Sequence, residues 1–244
     1  MASSSIKERF FLIIENTLSL QLVKYLVQPL TFYILAIIVL NIFGASHAYM
    51  LITLYIVPKI SHARFKTNID ISKILYISIY PLIIHSALLT NAVESSTLNP
   101  TYYVAGTFTA TIEEIFFRHI LSTLGTPLTS FLYAFFHLSL NNPQNLIIST
   151  LLFPSYFFLG LLLQEIYFRE GLQYAILFHI EYNILSLTYS MVLNLNTVGL
   201  FTLITLFSYL LYRYTTSITR KLWRRASKLL LQKYYQLLRK KDCQ

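Results

Sequence analysis

The sequence predicts an all-α fold, a polytopic integral membrane bundle of about eight transmembrane helices with amphipathic helices at its N- and C-terminal ends. Three observations carry this reading. Of 244 residues, 55% are hydrophobic and 12% charged, far more apolar than an average soluble domain. Apolar segments recur at roughly 26–44, 46–60, 72–93, 103–123, 127–141, 146–164, 171–193 and 197–215, most of them near the ~17 to 25 residues that a bilayer requires. Finally, threading eight crossings through the chain puts 18 of the 19 Lys and Arg residues on one face and leaves Arg118 within the membrane. Both termini are then expected on the cytoplasmic side.

The organisation follows in chain order. Residues 1–25 form an N-terminal amphipathic segment, in which Phe10, Phe11, Leu12 and Ile13 alternate with Lys7, Glu8, Arg9 and Glu15; it is expected at the interface. No basic region followed by a short apolar core and a small-residue cleavage site marks a removable leader. Residues 26–215 form the bundle. Its breaks carry turn chemistry at Gly44-Ala45-Ser46, Gly125-Thr126-Pro127, Asn141-Asn142-Pro143 and Asn194-Leu195-Asn196. The segment from Pro127 to Asn141 is short, and tilt or shielding by its neighbours is expected to accommodate it. Residues 216–244 form a basic amphipathic tail, with Ile218, Leu222, Ala226 and Leu229 on one face and Arg220, Lys221, Arg224 and Lys228 on the other. Its expected place is on the anionic cytoplasmic leaflet. The net charge of +9 resides mostly in this tail, and no aromatic stacking platform accompanies it, so nucleic acid is excluded as a partner. The single cysteine, Cys243, forms no intrachain disulfide and does not fit a four-residue prenylation tail.

Charges inside the apolar segments point to a site. Glu113, Glu114 and Arg118 lie in the fourth, where each costs at least a few kcal/mol unless it faces a polar cavity. Glu114 and Arg118, four apart, share a helix face and can pair, whereas Glu113 points about 100° away and stays available. The fifth segment carries His137 and the seventh His179 with Asn183, the latter two on one face. At ~1.5 Å rise per residue, Glu113 and Glu114 lie ~14 Å down, His137 ~15 Å and His179 ~12 Å, so groups from three helices reach one level. His47, His62, His85 and His119 are read as packing residues. A glutamate and a histidine holding one water meet the requirement for general-base attack on an amide, and a neighbouring histidine and asparagine can donate to a developing oxyanion. Alternatively, Glu113, His137 and His179 are a possible zinc ligand set with a water in the open position. No H-E-x-x-H motif is present.

Glu113-Glu114-x-x-x-Arg118, then an aromatic residue and histidine at Tyr133-x-x-x-His137, then His179-x-x-x-Asn183, resemble the three-motif pattern of the CAAX prenyl endopeptidase and bacteriocin-processing family of intramembrane proteases, also called CPBP or Abi proteins. The resemblance covers about 103–193. It implies an eight-helix bundle around a cavity open to the cytosol, with Glu113 activating water, His137 as its partner, Glu114 and Arg118 in support, and His179 with Asn183 at the oxyanion. One departure is visible, Tyr133 where the family pattern usually has Phe, and it touches packing detail more than activity.

The expected function is an intramembrane endopeptidase cleaving near the cytoplasmic membrane face. Membrane lipids and a peptide or lipidated peptide are its partners, and no cofactor is required unless the zinc version holds. Arg118 beside Glu114 competes with a cation for that carboxylate, which favours a glutamate-activated water. The competing readings are a non-catalytic membrane immunity or scaffold protein with the same fold, and a small transporter with a proton-carrying glutamate. The chain is expected to be a multi-pass protein of the cell membrane. Substrate identity and oligomeric state are not written in the sequence.

Overall fold

The computed structural model describes residues 27–62, 69–89, 94–95, 99–140, 142–190 and 194–241. The N-terminal amphipathic segment at 1–25 lies outside them. Eight α-helices follow in order among the described residues: α1 Gln28–Phe43, α2 Ala45–Ile56, α3 Ile71–Leu89, α4 Pro100–Glu114, α5 Thr126–Phe136, α6 Pro143–Arg169, α7 Leu172–Thr188 and α8 Leu195–Lys241. Each corresponds to one of the apolar segments. Two short strands, β1 at Glu94–Ser95 and β2 at Tyr189–Ser190, pair antiparallel and join the loop before α4 to the end of α7.

The predicted breaks fall where the local chemistry requires them. Gly44 at φ 91° and Gly125 at φ 86° occupy the left-handed region that only glycine enters cheaply, and they turn the chain into α2 and α5. Asparagines cap three helices by accepting from backbone N–H groups that have no intrahelical partner. Asn99 accepts from Thr101 N at 3.1 Å, Asn142 from Asn145 N at 2.8 Å and Asn194 from Thr197 N at 2.9 Å. Pro100 and Pro143 take the first helical turn, where a missing N–H costs nothing.

Two helices, Pro143–Arg169 and Leu195–Ile218, are long and apolar enough to cross a membrane. The expectation of eight full crossings is met only in part. At ~1.5 Å per residue, the 12 residues of α2 and the 11 of α5 reach roughly 18 and 16 Å, short of a ~30 Å hydrocarbon core. The outer surface is nonetheless apolar: Ile34, Ile38 and Ile42 on α1, Leu75, Ile79 and Leu82 on α3, and Leu203 and Phe207 on α8 all face outward. A soluble monomer rarely exposes so continuous a hydrophobic skin.

Inside, α4 packs on α7, α5 on α6, and α6 on α7 and α8, while α3 closes the far side against α7 and α8. Phe116, Phe117, Tyr133, Phe136, Leu162 and Phe178 form the centre of the core. The fourth apolar segment is not one uniform helix. After Glu114 it winds into a π-helical turn, Ile115–Ile120, and then a 3₁₀ turn, Leu121–Leu124. The fifth stops at Phe136, so His137 caps α5 at φ −86°, ψ 0° and does not lie in a continuing helix to 141. The tail from 216 is no separate element either, since α8 runs unbroken for 47 residues.

Candidate active site

The last turn of α4 delivers Glu113 and Glu114 to the core, where they are 3% and 0% exposed. Burying two carboxylates requires partners, and each finds different ones. Glu114 is held on both oxygens: Nε of Arg118 donates to Oε2 at 3.1 Å and Nδ1 of His179 lies 2.9 Å from Oε1. The expected pairing of Glu114 with Arg118 is therefore present, and the π turn carries the guanidinium, itself fully buried. Arg118 Nη1 also donates to Oε1 of Gln164 at 3.4 Å, and its guanidinium lies 4.7 Å from the centre of the Tyr133 ring, a cation–π arrangement.

Glu113 faces the other way, as its 100° offset requires. Its Oε1 accepts from the Tyr49 hydroxyl on α2. Its Oε2 is buried and has no hydrogen-bond partner, yet two imidazoles point at it: Nε2 of His137 at 3.6 Å and Nε2 of His179 at 3.8 Å. Their protonation follows from the opposite ring nitrogens. An ionised Glu114 can only accept, so His179 carries its proton on Nδ1. The Tyr133 carbonyl, 2.9 Å from His137 Nδ1, likewise fixes a proton there. In these tautomers the Nε2 lone pairs of both rings and one carboxylate oxygen converge, with the Tyr133 hydroxyl 3.5 Å from the Nε2 of His179. Such a triangle is complementary to a water, which supplies two protons, or to a cation.

The zinc version can be tested on these distances. Ligand atoms on one tetrahedral zinc stand ~3.3 Å apart, closer than the 3.6 and 3.8 Å seen here. Among the described residues, no group of three or more His, Cys, Asp and Glu side chains is arranged to hold a metal ion.

Access is uneven. His137 is 21% exposed, whereas Glu113 and His179 are each 3%. The His137 ring stacks on Tyr156 of α6, with centroids 4.5 Å apart at 25°, so the imidazole edge alone is offered from outside. Tyr133 touches three members of the site: its carbonyl holds His137, its ring underlies Arg118, and its hydroxyl lies 3.5 Å from His179 Nε2. The last contact needs the hydroxyl that phenylalanine lacks.

Of the sequence-derived residues, the structure brings Glu113, Glu114, Arg118, His137 and His179 together. It does not bring Asn183 to them: that amide donates to the Gly106 carbonyl at 3.1 Å, one turn beyond His179, and ties α7 to α4. His85, read as a packing residue, is 4% exposed and satisfied by Pro81 O at 2.8 Å and Ser186 Oγ at 2.9 Å. Reading the sequence missed Tyr49, Tyr156 and Gln164. Only Gln164 had a signal, as an amide directly after the apolar run from Gly160 to Leu163.

These features define a class: an all-helical bundle whose core encloses an arginine-braced carboxylate, a second carboxylate and two histidines. Residues 95–185 match the family model of the type II CAAX prenyl endopeptidases, Rce1-like, and this stretch contains all six sequence-derived site residues. The family is peptidase-related and membrane-embedded. No curated protein matches the chain.

Proposed function

We propose that the protein is an intramembrane endopeptidase of the CAAX prenyl type, which hydrolyses a peptide bond near the cytoplasmic membrane face with a water activated by Glu113 and His137. The observation that supports this most is the unpartnered Oε2 of Glu113, buried and faced by two imidazole lone pairs. A water seated over that triangle donates one proton to Glu113 and a second to His137, and its oxygen lone pair is left for attack on the scissile carbonyl.

As the C–O bond forms, Glu113 takes the proton of the attacking water. The tetrahedral oxyanion needs a donor, and His179 supplies one when the water's proton, taken up by Glu113, is shared with its Nε2, 3.8 Å from Oε2, while Glu114 on Nδ1 stabilises the imidazolium; that proton is back on Glu113 before the intermediate collapses. Arg118 holds Glu114 oriented for that task. Collapse of the intermediate breaks the C–N bond, and the proton returns from Glu113 to the leaving amine. Asn183 joins the oxyanion site only by releasing Gly106 O. In this reading all eight helices belong to the membrane-embedded body, the short α2 packed on α1 and α4 and the short α5 on α6. The favoured substrate is a peptide carrying a lipid at its C-terminal end, because an apolar outer surface surrounds the site.

The test is incubation of purified protein with lipidated and unlipidated C-terminal peptides, with products read by mass spectrometry. A defined cleavage product lost in Glu113→Gln is the expected result. A Glu113→Gln protein that retains its cellular role, with no product from either form, supports the scaffold reading instead.

A further inference from the structure

A second polar cluster lies at the end of the bundle where both long helices leave their apolar stretches. Arg169 closes α6, and Arg213 is the first charged residue of α8. Between them opens a groove of about 750 Å³. One end is lined by Arg169, Arg213 and Ser217, and the rest largely by Phe207, Leu210 and Tyr214. Positions 207, 210, 214 and 217 recur at helical spacing, so one stripe of α8 runs from hydrocarbon side chains to a hydroxyl over ~15 Å. Phe207, Leu210 and Tyr214 are all outward-facing.

The charges at the polar end do not balance. Glu165 is the one carboxylate shared by the two guanidinium groups, with Arg169 Nε at 2.7 Å and Arg213 Nε at 4.0 Å. Neutral oxygens hold the remaining contacts: Arg169 Nη1 donates to Thr216 Oγ1 and Arg213 Nη1 to the Tyr209 hydroxyl, both at 2.7 Å. These contacts fix the orientation of both groups without neutralising them. The cluster keeps a net positive charge at the head of an apolar groove, and Arg213 is 59% exposed. Guanidinium groups so held match the oxygens of a phosphate, and the stripe below matches an acyl chain.

We infer that the groove between α6 and α8 is a binding site for an anionic glycerophospholipid, with its phosphate on Arg169, Arg213 and Ser217 and an acyl chain along Phe207, Leu210 and Tyr214. Charge complementarity and the position of the arginines at the edge of the apolar stretches select this occupant. The site is separate from the carboxylate–histidine cluster and independent of the proteolytic reading.

Native mass spectrometry of the full chain tests it, with the protein exchanged into detergent containing equal phosphatidylglycerol and phosphatidylcholine. Preferential retention of phosphatidylglycerol is expected, falling about fivefold for each arginine removed in Arg213→Gln and Arg169→Gln/Arg213→Gln. Arg213→Gln is the safer variant for folding, because that side chain is mostly exposed; its elution on size exclusion checks this. Thermal stabilisation by phosphatidylglycerol, reduced in Arg213→Gln, is the second readout. Equal retention of the two lipids, or retention unchanged in a folded Arg213→Gln protein, overturns the proposal. So does equal stabilisation by inorganic phosphate alone, which would assign the arginines to a free anion.

Discussion

The Tyr49 hydroxyl on α2 donates to Oε1 of Glu113 on α4, so one oxygen of that carboxylate is occupied and the other, Oε2, is turned toward His137 and His179. Tyr49 lies outside the stretch that matches the CAAX prenyl endopeptidase family. A side chain from the unmatched part of the chain thus sets the orientation of the group proposed as the base. Tyr49→Phe keeps the ring and its edge contact with Phe136 at 5.9 Å but frees Oε1. Steady-state kinetics on the cleaved peptide should show kcat reduced about tenfold or more, the scale of a hydrogen bond to a charged group, with KM little changed. An equal loss in KM would mean that Tyr49 contacts substrate instead.

Glu113 and Glu114 should separate by phenotype. Glu113→Gln removes the proposed base and is expected to lower peptide cleavage by about 10²- to 10⁴-fold while the protein still folds. Glu114→Gln leaves the fully buried Arg118 without its counter-charge, and loss of one partner of a buried pair costs about 3–5 kcal/mol. Thermal unfolding in detergent should show the second variant clearly destabilised, and Glu114→Gln/Arg118→Met should recover part of the loss.

Exhaustive chelation is expected to leave proteolysis intact, because Arg118 beside Glu114 competes with a cation for that carboxylate. Activity lost to the chelator and restored by zinc would reassign those three residues as ligands.

Asp70 gives a pH-dependent signature outside the membrane-spanning segments. Hydrogen bonds from Ser72, whose hydroxyl donates at 2.6 Å and backbone N–H at 3.0 Å, hold its carboxyl below the usual carboxylate value. A depressed folded-state value means that this capping contribution to α3 is complete above the ordinary aspartate range and is lost as pH falls through the depressed value. The protection factor for hydrogen exchange at the first turn of α3, corrected for the intrinsic pH dependence of amide exchange, should fall on acidification in the native protein. In Asp70→Ala it should be low at every pH.

Much of this site was legible from spacing. The four-residue spacing of Glu114 and Arg118 predicts a shared face, and the pair exists; the 100° offset of Glu113 predicts different partners, and it has them. Comparable depths for Glu113, His137 and His179 rested on straight helices and still located the cluster, although the chain leaves α-helical geometry at Ile115 and α5 ends before His137. The rest had no local signature. Tyr49 and Tyr156 are two of 19 tyrosines, and only the packing of α2 and α6 selects them. Asn183 shares a face with His179, but spacing could not show that the Gly106 carbonyl, exposed where α4 and α7 approach closely, would claim its amide.

The continuity of α8 bears on how its basic half meets the membrane. Forty-seven residues without a break make a rod of ~70 Å, over twice the ~30 Å hydrocarbon thickness. If α8 crosses a bilayer, only ~20 of its residues fit within the hydrocarbon, and the Arg- and Lys-rich portion that follows the arginine pair at 169 and 213 continues the same helix outside it.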